Sequence, residues 1–209
     1  MDVLENHIDK LRELNSSLEQ TLYGTNTGGK SWYDEFWDSF QNEGKSKLYA
    51  YAFYGSLWQD KMYEPKHPFV VNNGYGMFDS TYVTDTKKPI TLIDSDVLTT
   101  NMFSSSKLVT IRSLTVNENN TFNSNMFSKA TGLVNITFEG TIANNLTMGA
   151  CTKLSKASIQ SIFNCLSNDV SGKTLTLNTT AVNSAFGSTT SEEWLNLVAT
   201  KPNWAVSLS

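Results

Sequence analysis

The chain has 209 residues and a net charge of −4, and only 17% of its residues are charged, below the roughly 25% usual in soluble domains. No Lys/Arg cluster stands out, which argues against nucleic acid as a partner. No run of about 18 apolar residues exists to span a membrane. Asn, Ser and Thr fill the surface positions instead, giving a neutral, hydrogen-bonding exterior suited to an assembly or to a sugar-rich surface. Residues 1–5 lack the basic and apolar regions of a secretory signal. The expectation is a chain that folds in the cytosol and leaves a cell only by lysis or within a particle.

Residues 1–23 carry a heptad. Met1, Ile8, Asn15 and Leu22 fall at position a, and Leu4, Leu11 and Leu18 at position d. So narrow a seam suits other copies of the same helix better than a broad globular core. The predicted oligomerisation residues are therefore Leu4, Ile8, Leu11, Asn15, Leu18 and Leu22. Asn15 at position a trades stability for register and copy number. Asn at position a favours dimers in simple zippers, and a trimer also fits. Val3 and Leu14 lie off the seam and keep open an ordinary amphipathic helix packed on its own domain. His7 flanks the seam and reads as a solvated residue.

Residues 24–74 read as an aromatic-rich helix and strand joint. Gly24, Gly28 and Gly29 break the first helix. Ser31 is a candidate N-cap, with Asp34 and Glu35 in the following first turn. Trp32, Phe36, Trp37 and Phe40 recur at helical spacing. That stripe reads as core, with a carbohydrate platform as the alternative. Residues 47–58 alternate with aromatics on both faces, predicting a strand covered on both sides or facing another subunit. Pro65, Pro68 and Asn72-Asn73-Gly74 mark an irregular connection.

From residue 75 a repeat is visible. Met-Phe occurs at 77/78, 102/103 and 126/127, and Ala150-Cys151 takes the next slot, giving spacings of 25, 24 and 24. A fixed period of this size marks a solenoid, in which one unit cannot bury its apolar face without its neighbours. Each Met-Phe turn leads to a Leu and a short apolar run: Tyr82-Val83 and Ile90-Thr91-Leu92-Ile93, then Leu108-Val109-Thr110-Ile111 and Leu114-Thr115-Val116, then Leu133-Val134-Asn135-Ile136-Thr137-Phe138. Asn123 to Asn125 and Asn144-Asn145 suit tight turns.

Residues 150–209 read as a closing cap. Ser155 or Ser158 starts a helix with Ile159, Ile162, Phe163 and Leu166 on its apolar face. Thr174-Leu175-Thr176-Leu177 is a strand, residues 181–186 a helical turn closed by Gly187, and Thr190 with Glu193 a capping box. Residues 204–208 form a final strand. Cys151 and Cys165, with no histidine nearby, make a poor metal pair. They read as small buried hydrophobes of the last layer.

The predicted fold class is α+β: an N-terminal coiled-coil helix, a short β-rich solenoid over 75–209, and an α/β C-terminal cap. No catalytic, cofactor-binding or metal-ligating residues are assigned. Glycoside cleavage needs two carboxylates on one cleft. Asp34, Glu35 and Asp38 are explained by one helix dipole, while Asp94 and Asp96 lie in a strand-to-turn segment. His7 and His67 adjoin no Ser or Cys motif, and no Gly-rich phosphate loop follows a strand. The expectation is a non-enzyme without a cofactor.

The ladder resembles the BspA-like divergent leucine-rich repeats. The tail Leu154-Ser155-Lys156-Ala157-Ser158-Ile159-Gln160-Ser161-Ile162-Phe163, then Gly172-Lys173-Thr174-Leu175-Thr176-Leu177, Glu193-Trp194 and Lys201-Pro202-Asn203-Trp204, is similar to the closing unit of such proteins in phages of Gram-positive gut bacteria. Trp32-Tyr33-Asp34-Glu35-Phe36-Trp37-Asp38-Ser39-Phe40-Gln41 with Tyr51-Ala52-Phe53-Tyr54-Gly55-Ser56-Leu57-Trp58 looks like the aromatic box upstream of their repeats. The resemblance implies a bacteriophage virion component made in the host cytoplasm: a tail-fibre, baseplate or head-fibre subunit. Its implied partners are its own copies, other virion proteins, and a host cell-surface glycan or protein. A bacterial cell-surface adhesin of the same repeat type is the alternative. The ladder is short for that family, so it offers little concave surface for a ligand, and the family brings no active-site residues.

Overall fold

Short apolar runs about one repeat apart pair in parallel, each with the next along the chain. The structure is a computed structural model that describes Lys10 and residues 32–209 other than 43, 56, 57, 61 and 94. In it the chain is α+β and winds as a solenoid of about five turns built on parallel sheets. The heptad residues Leu4, Ile8, Leu11, Asn15, Leu18 and Leu22, the glycine joint, Ser31 and Asp94 lie outside the described residues.

Helix α1 (Trp32–Gln41) comes first, followed by strands β1 (Lys47–Leu48), β2 (Phe69–Asn73), β3 (Ile90–Leu92), β4 (Thr110–Val116) and β5 (Asn135–Gly140). These five strands form one sheet in chain order, every pair parallel. The sheet therefore runs unbroken across residue 74, and the first turns of the solenoid lie within the predicted joint. Strand β6 (Leu146–Thr147), helix α2 (Lys156–Cys165), strand β7 (Lys173–Leu177), helices α3 (Thr179–Phe186) and α4 (Glu192–Ala199), and strand β8 (Trp204–Leu208) follow. Strands β6, β7 and β8 make a second parallel sheet.

The repeat is also a column of rings. Phe78 stacks on Phe103 at 5.8 Å and Phe103 on Phe127 at 5.2 Å, with Met77, Met102 and Met126 fully buried beside them. The column extends one layer earlier than the sequence pattern, because Phe53 stacks on Phe78 at 4.9 Å. Strand β4 buries Ser113 and Leu114 in succession because its register against β5 slips between Ile111 and Leu114, as a bulge does. At the end of β5, Gly140 holds φ 86, and a Cβ there would lie 2.0 Å from the Val116 carbonyl oxygen. Only glycine fits that approach.

Several local expectations are corrected. Residues 47–58 are not one strand. Pairing stops at Leu48, and Tyr49 to Tyr54 turn back on themselves through Ala52 N–H to Tyr49 O and Tyr54 N–H to Tyr51 O. Tyr82-Val83 is not a strand either: the Lys107, Val109 and Thr110 amides reach only the flanking Thr81 and Thr84 carbonyls, without a continuous ladder. The last helix is capped by Ser191, which accepts from the Trp194 amide, rather than by Thr190. Ser155 caps α2 as expected, accepting from the Ser158 amide. Helix α3 begins two residues before the predicted turn, with Asn178 as its cap, and Gly187 ends it.

Of the aromatic stripe on α1, Trp37 and Phe40 belong to the core. Trp37 is fully buried against Trp58, Tyr63 and Phe53 at 5.4, 5.6 and 6.2 Å. Phe40 packs on Tyr49 at 5.8 Å, and Phe36 is partly exposed. The described part of the box packs within the chain and lids the first layer, as terminal units of a solenoid do. Gln41, 1% exposed, fastens the lid: its Oε1 accepts from the Lys66 and His67 amides, and its Nε2 donates to His67 O.

Candidate functional site

Each layer contains the same double turn. Met77 N–H bonds Gly74 O and Asp79 N–H bonds Gly76 O; the pattern recurs at Met102 and Ser104, and at Met126 and Ser128. The double turns also bond to one another. Tyr51, Phe53 and Gly55 donate to the carbonyls of Tyr75, Met77 and Asp79, at 2.9, 2.9 and 3.1 Å, and Gly76, Phe78 and Ser80 donate likewise to Thr100, Met102 and Ser104. The backbone groups of this face thus stack into a rigid wall, and its outward side chains are left to meet solvent.

Two slots of the double turn need a left-handed backbone. One holds Tyr51 (φ 56), Gly76 (φ 56) and Asn101 (φ 55); the other holds Gly55, Ser80, Ser105 and Lys129. At the first layer the outward residues are aromatic. Tyr51 is 53% exposed and Tyr54 49%, with half-buried Tyr75 beside them. The Tyr51 ring meets Tyr75 at 5.2 Å and Tyr54 at 5.6 Å, both edge to face. A side-chain hydrogen bond with Tyr75, with Asp79 and Tyr54 adding smaller repulsions, pushes the Tyr51 phenol above its ordinary range. Asp79 accepts from the Ser80 hydroxyl at 3.0 Å.

A second surface feature is a shallow polar recess of about 540 Å³, lined by Asn72, Ile93, Ser95, Asp96, Asn117 and Asn119. One of its three asparagines, Asn117, ties two layers, and Asn144 does the same beside the recess. Asn117 Nδ2 donates to Leu92 O, the Asn117 side-chain oxygen accepts from the Asn119 amide, and Asn144 Nδ2 donates to Asn120 O at 3.0 Å.

Four carboxylates have separate partners. Asp38 faces the His67 ring at 3.3 Å, Asp85 pairs with Arg112, Glu193 with Lys156, and Asp60 accepts from the Thr84 amide and hydroxyl. Among the described residues no group of three or more His, Cys, Asp or Glu gathers. The Asp38–His67 pair, absent from the sequence reading, joins α1 to the 65–68 connection; the sequence offered only Asp38 among the acidic residues of one helix and His67 apart from any Ser or Cys motif. Cys151 is buried, and burial pushes its thiol up to about 12. Cys165 is half-buried and donates to Phe138 O. No helix among the described residues is long and apolar enough to cross a membrane.

The architecture places this chain among parallel β-solenoid scaffolds with helical caps. No family model matches it, and no curated protein or solved structure is significantly similar to it.

Proposed function

We propose that the chain is a non-enzymatic structural protein of a bacteriophage particle: a fibre, baseplate or head-fibre subunit. In this reading residues 1–23 join copies as a homotrimer through Leu4, Ile8, Leu11, Asn15, Leu18 and Leu22. The solenoid is a divergent leucine-rich-repeat body of the BspA-like type, turned outward to bind a host surface or to decorate the particle. The observation that carries the reading is where the polar side chains go. Asn144, Asn145 and Ser158 bond between layers, Ser155, Asn178 and Ser191 cap helices, and Asp85 pairs with Arg112, which is how a stacked scaffold is held rather than how a cleft is armed. The ladder spacing of 24 to 25 residues between paired positions of β4 and β5 supports the repeat assignment.

The test is the mass and the location of the intact protein. Light scattering on the full chain is expected to give three times the chain mass, and one chain mass after residues 1–31 are deleted. Gold-labelled antibody against the solenoid is expected to decorate intact particles. A monomeric full chain together with unlabelled particles would overturn the reading.

A further inference from the structure

We infer that Tyr51, Tyr54 and Tyr75 form a platform that binds a neutral carbohydrate chain. The inference rests on the attachment reading above and names the ligand class of its outer face.

Tyr51 occupies a left-handed slot whose next two occupants are Gly76 and Asn101, residue types that reach this conformation at little cost. A bulky residue there is strained, and strain of this kind collects at ligand-contacting positions. With Tyr51 more than half exposed, burial in the core does not account for the choice. The next layer is fitted to the ring. A Cβ on Gly76 would lie 2.7 Å from Tyr51 Cε1 and 2.8 Å from Cδ1, so any side chain at 76 would push the ring away.

The ring geometry selects the ligand. A quaternary ammonium needs separated aromatic faces that enclose it. Here the centroids stand 5.2 and 5.6 Å apart, edge to face, and the rings fill the space between themselves. What remains is exposed tyrosine ring surface, with the Asp79 carboxylate close enough to act on the Tyr51 phenol. A pyranose has the matching complement: a C–H face for the ring and hydroxyls for Asp79 and the phenols. Tyrosine suits such contacts because its body is apolar and its tip polar.

The test uses the full chain and its Tyr51→Asn, Tyr54→Ala and Gly76→Ala variants. Retention is measured by affinity electrophoresis in β-1,3-glucan, mannan, galactan and rhamnan, and on peptidoglycan glycan strands, with adherence to intact bacterial cells scored in parallel. At least one glycan is expected to retain the wild type, and each variant to weaken that retention tenfold or more. Asparagine suits the left-handed slot, so Tyr51→Asn is expected not to lower the melting temperature, which separates lost binding from lost folding. Wild type retained by no glycan, or variants retained as well as wild type, overturns the platform. Cell adherence without glycan retention overturns the platform and leaves the attachment reading standing; absence of both overturns both. A changed oligomeric mass in Tyr51→Asn assigns the face to contact between copies and also overturns the platform.

Discussion

Ser158 Oγ accepts the Ile136 amide at 2.9 Å and donates to Val134 O at 3.1 Å. Ser161 repeats the device one step along, accepting from the Phe138 amide and donating to Ile136 O, both at 3.2 Å. Helix α2 therefore stands where the next strand of the first sheet would be, and its hydroxyls close the edge of β5. An open edge would invite pairing with another chain. Because Ser158 is buried, Ser158→Ala strands the Ile136 amide, while Val134 O keeps the Ser155 amide. The expected loss is about 1–3 kcal/mol in urea denaturation. Hydrogen exchange is expected to show the Ile136 amide losing protection ahead of the β4 amides.

How far this fold can be read in the sequence follows from what each signal depends on. The Met-Phe period is legible because one steric slot, repeated, demands the same large side chains. The earlier copy at Ala52-Phe53 is hidden because alanine replaces methionine and tyrosines crowd it, so a double turn imitates an alternating strand. The left-handed backbone of Tyr51 has no residue-type signal at all, since its slot favours glycine or asparagine. The Thr190 and Ser191 caps differ by one residue, and both types suit an N-cap. The role of Ser158 and Ser161 depends on the register between a helix and a strand more than twenty residues away, which local pattern does not carry. The exposed tyrosines, as the candidate site, were visible only as aromatics of ambiguous facing.

Phe103 sits between Phe78 and Phe127, both within 5.8 Å and nearly parallel. Its ring is fully buried, and no adjacent layer can close the gap without breaking the bonds of its own double turn. Phe103→Ala is expected to cost about 3–5 kcal/mol, read by chemical denaturation. Phe103→Leu is expected to cost clearly less, because it keeps most of the volume.

The lid over the first layer depends on Gln41. Removing its amide leaves the Lys66 and His67 amides and the His67 carbonyl to find other partners. Unmet buried groups cost about 1–3 kcal/mol each, while Lys47 Nζ, which donates to Ser39 O and Phe40 O, and the Asp38–His67 pair still hold α1. Gln41→Ala is expected to loosen the lid rather than unfold the solenoid. Limited proteolysis is expected to cut near α1 sooner, while the β4 and β5 amides keep their exchange protection.

Alkaline pH should weaken the fold in a defined window. Burial raises the Cys151 thiol from 9.0 to about 12 and the Tyr49 phenol from 10.0 to about 12. In the unfolded chain both ionise at the lower values, so above them the unfolded state has shed protons that the folded state keeps, and stability falls as pH rises. The contribution is fully present below about pH 9 and is lost progressively towards pH 12. At pH 11 the loss amounts to about 3 kcal/mol from Cys151 and about 1 kcal/mol from Tyr49. Urea midpoints measured at pH 8, 10 and 11 are expected to drop accordingly, and Cys151→Ala is expected to start lower but decline less steeply. A midpoint that stays level to pH 11, or an equal slope in the variant, would show that the thiol of Cys151 is not held neutral by the fold.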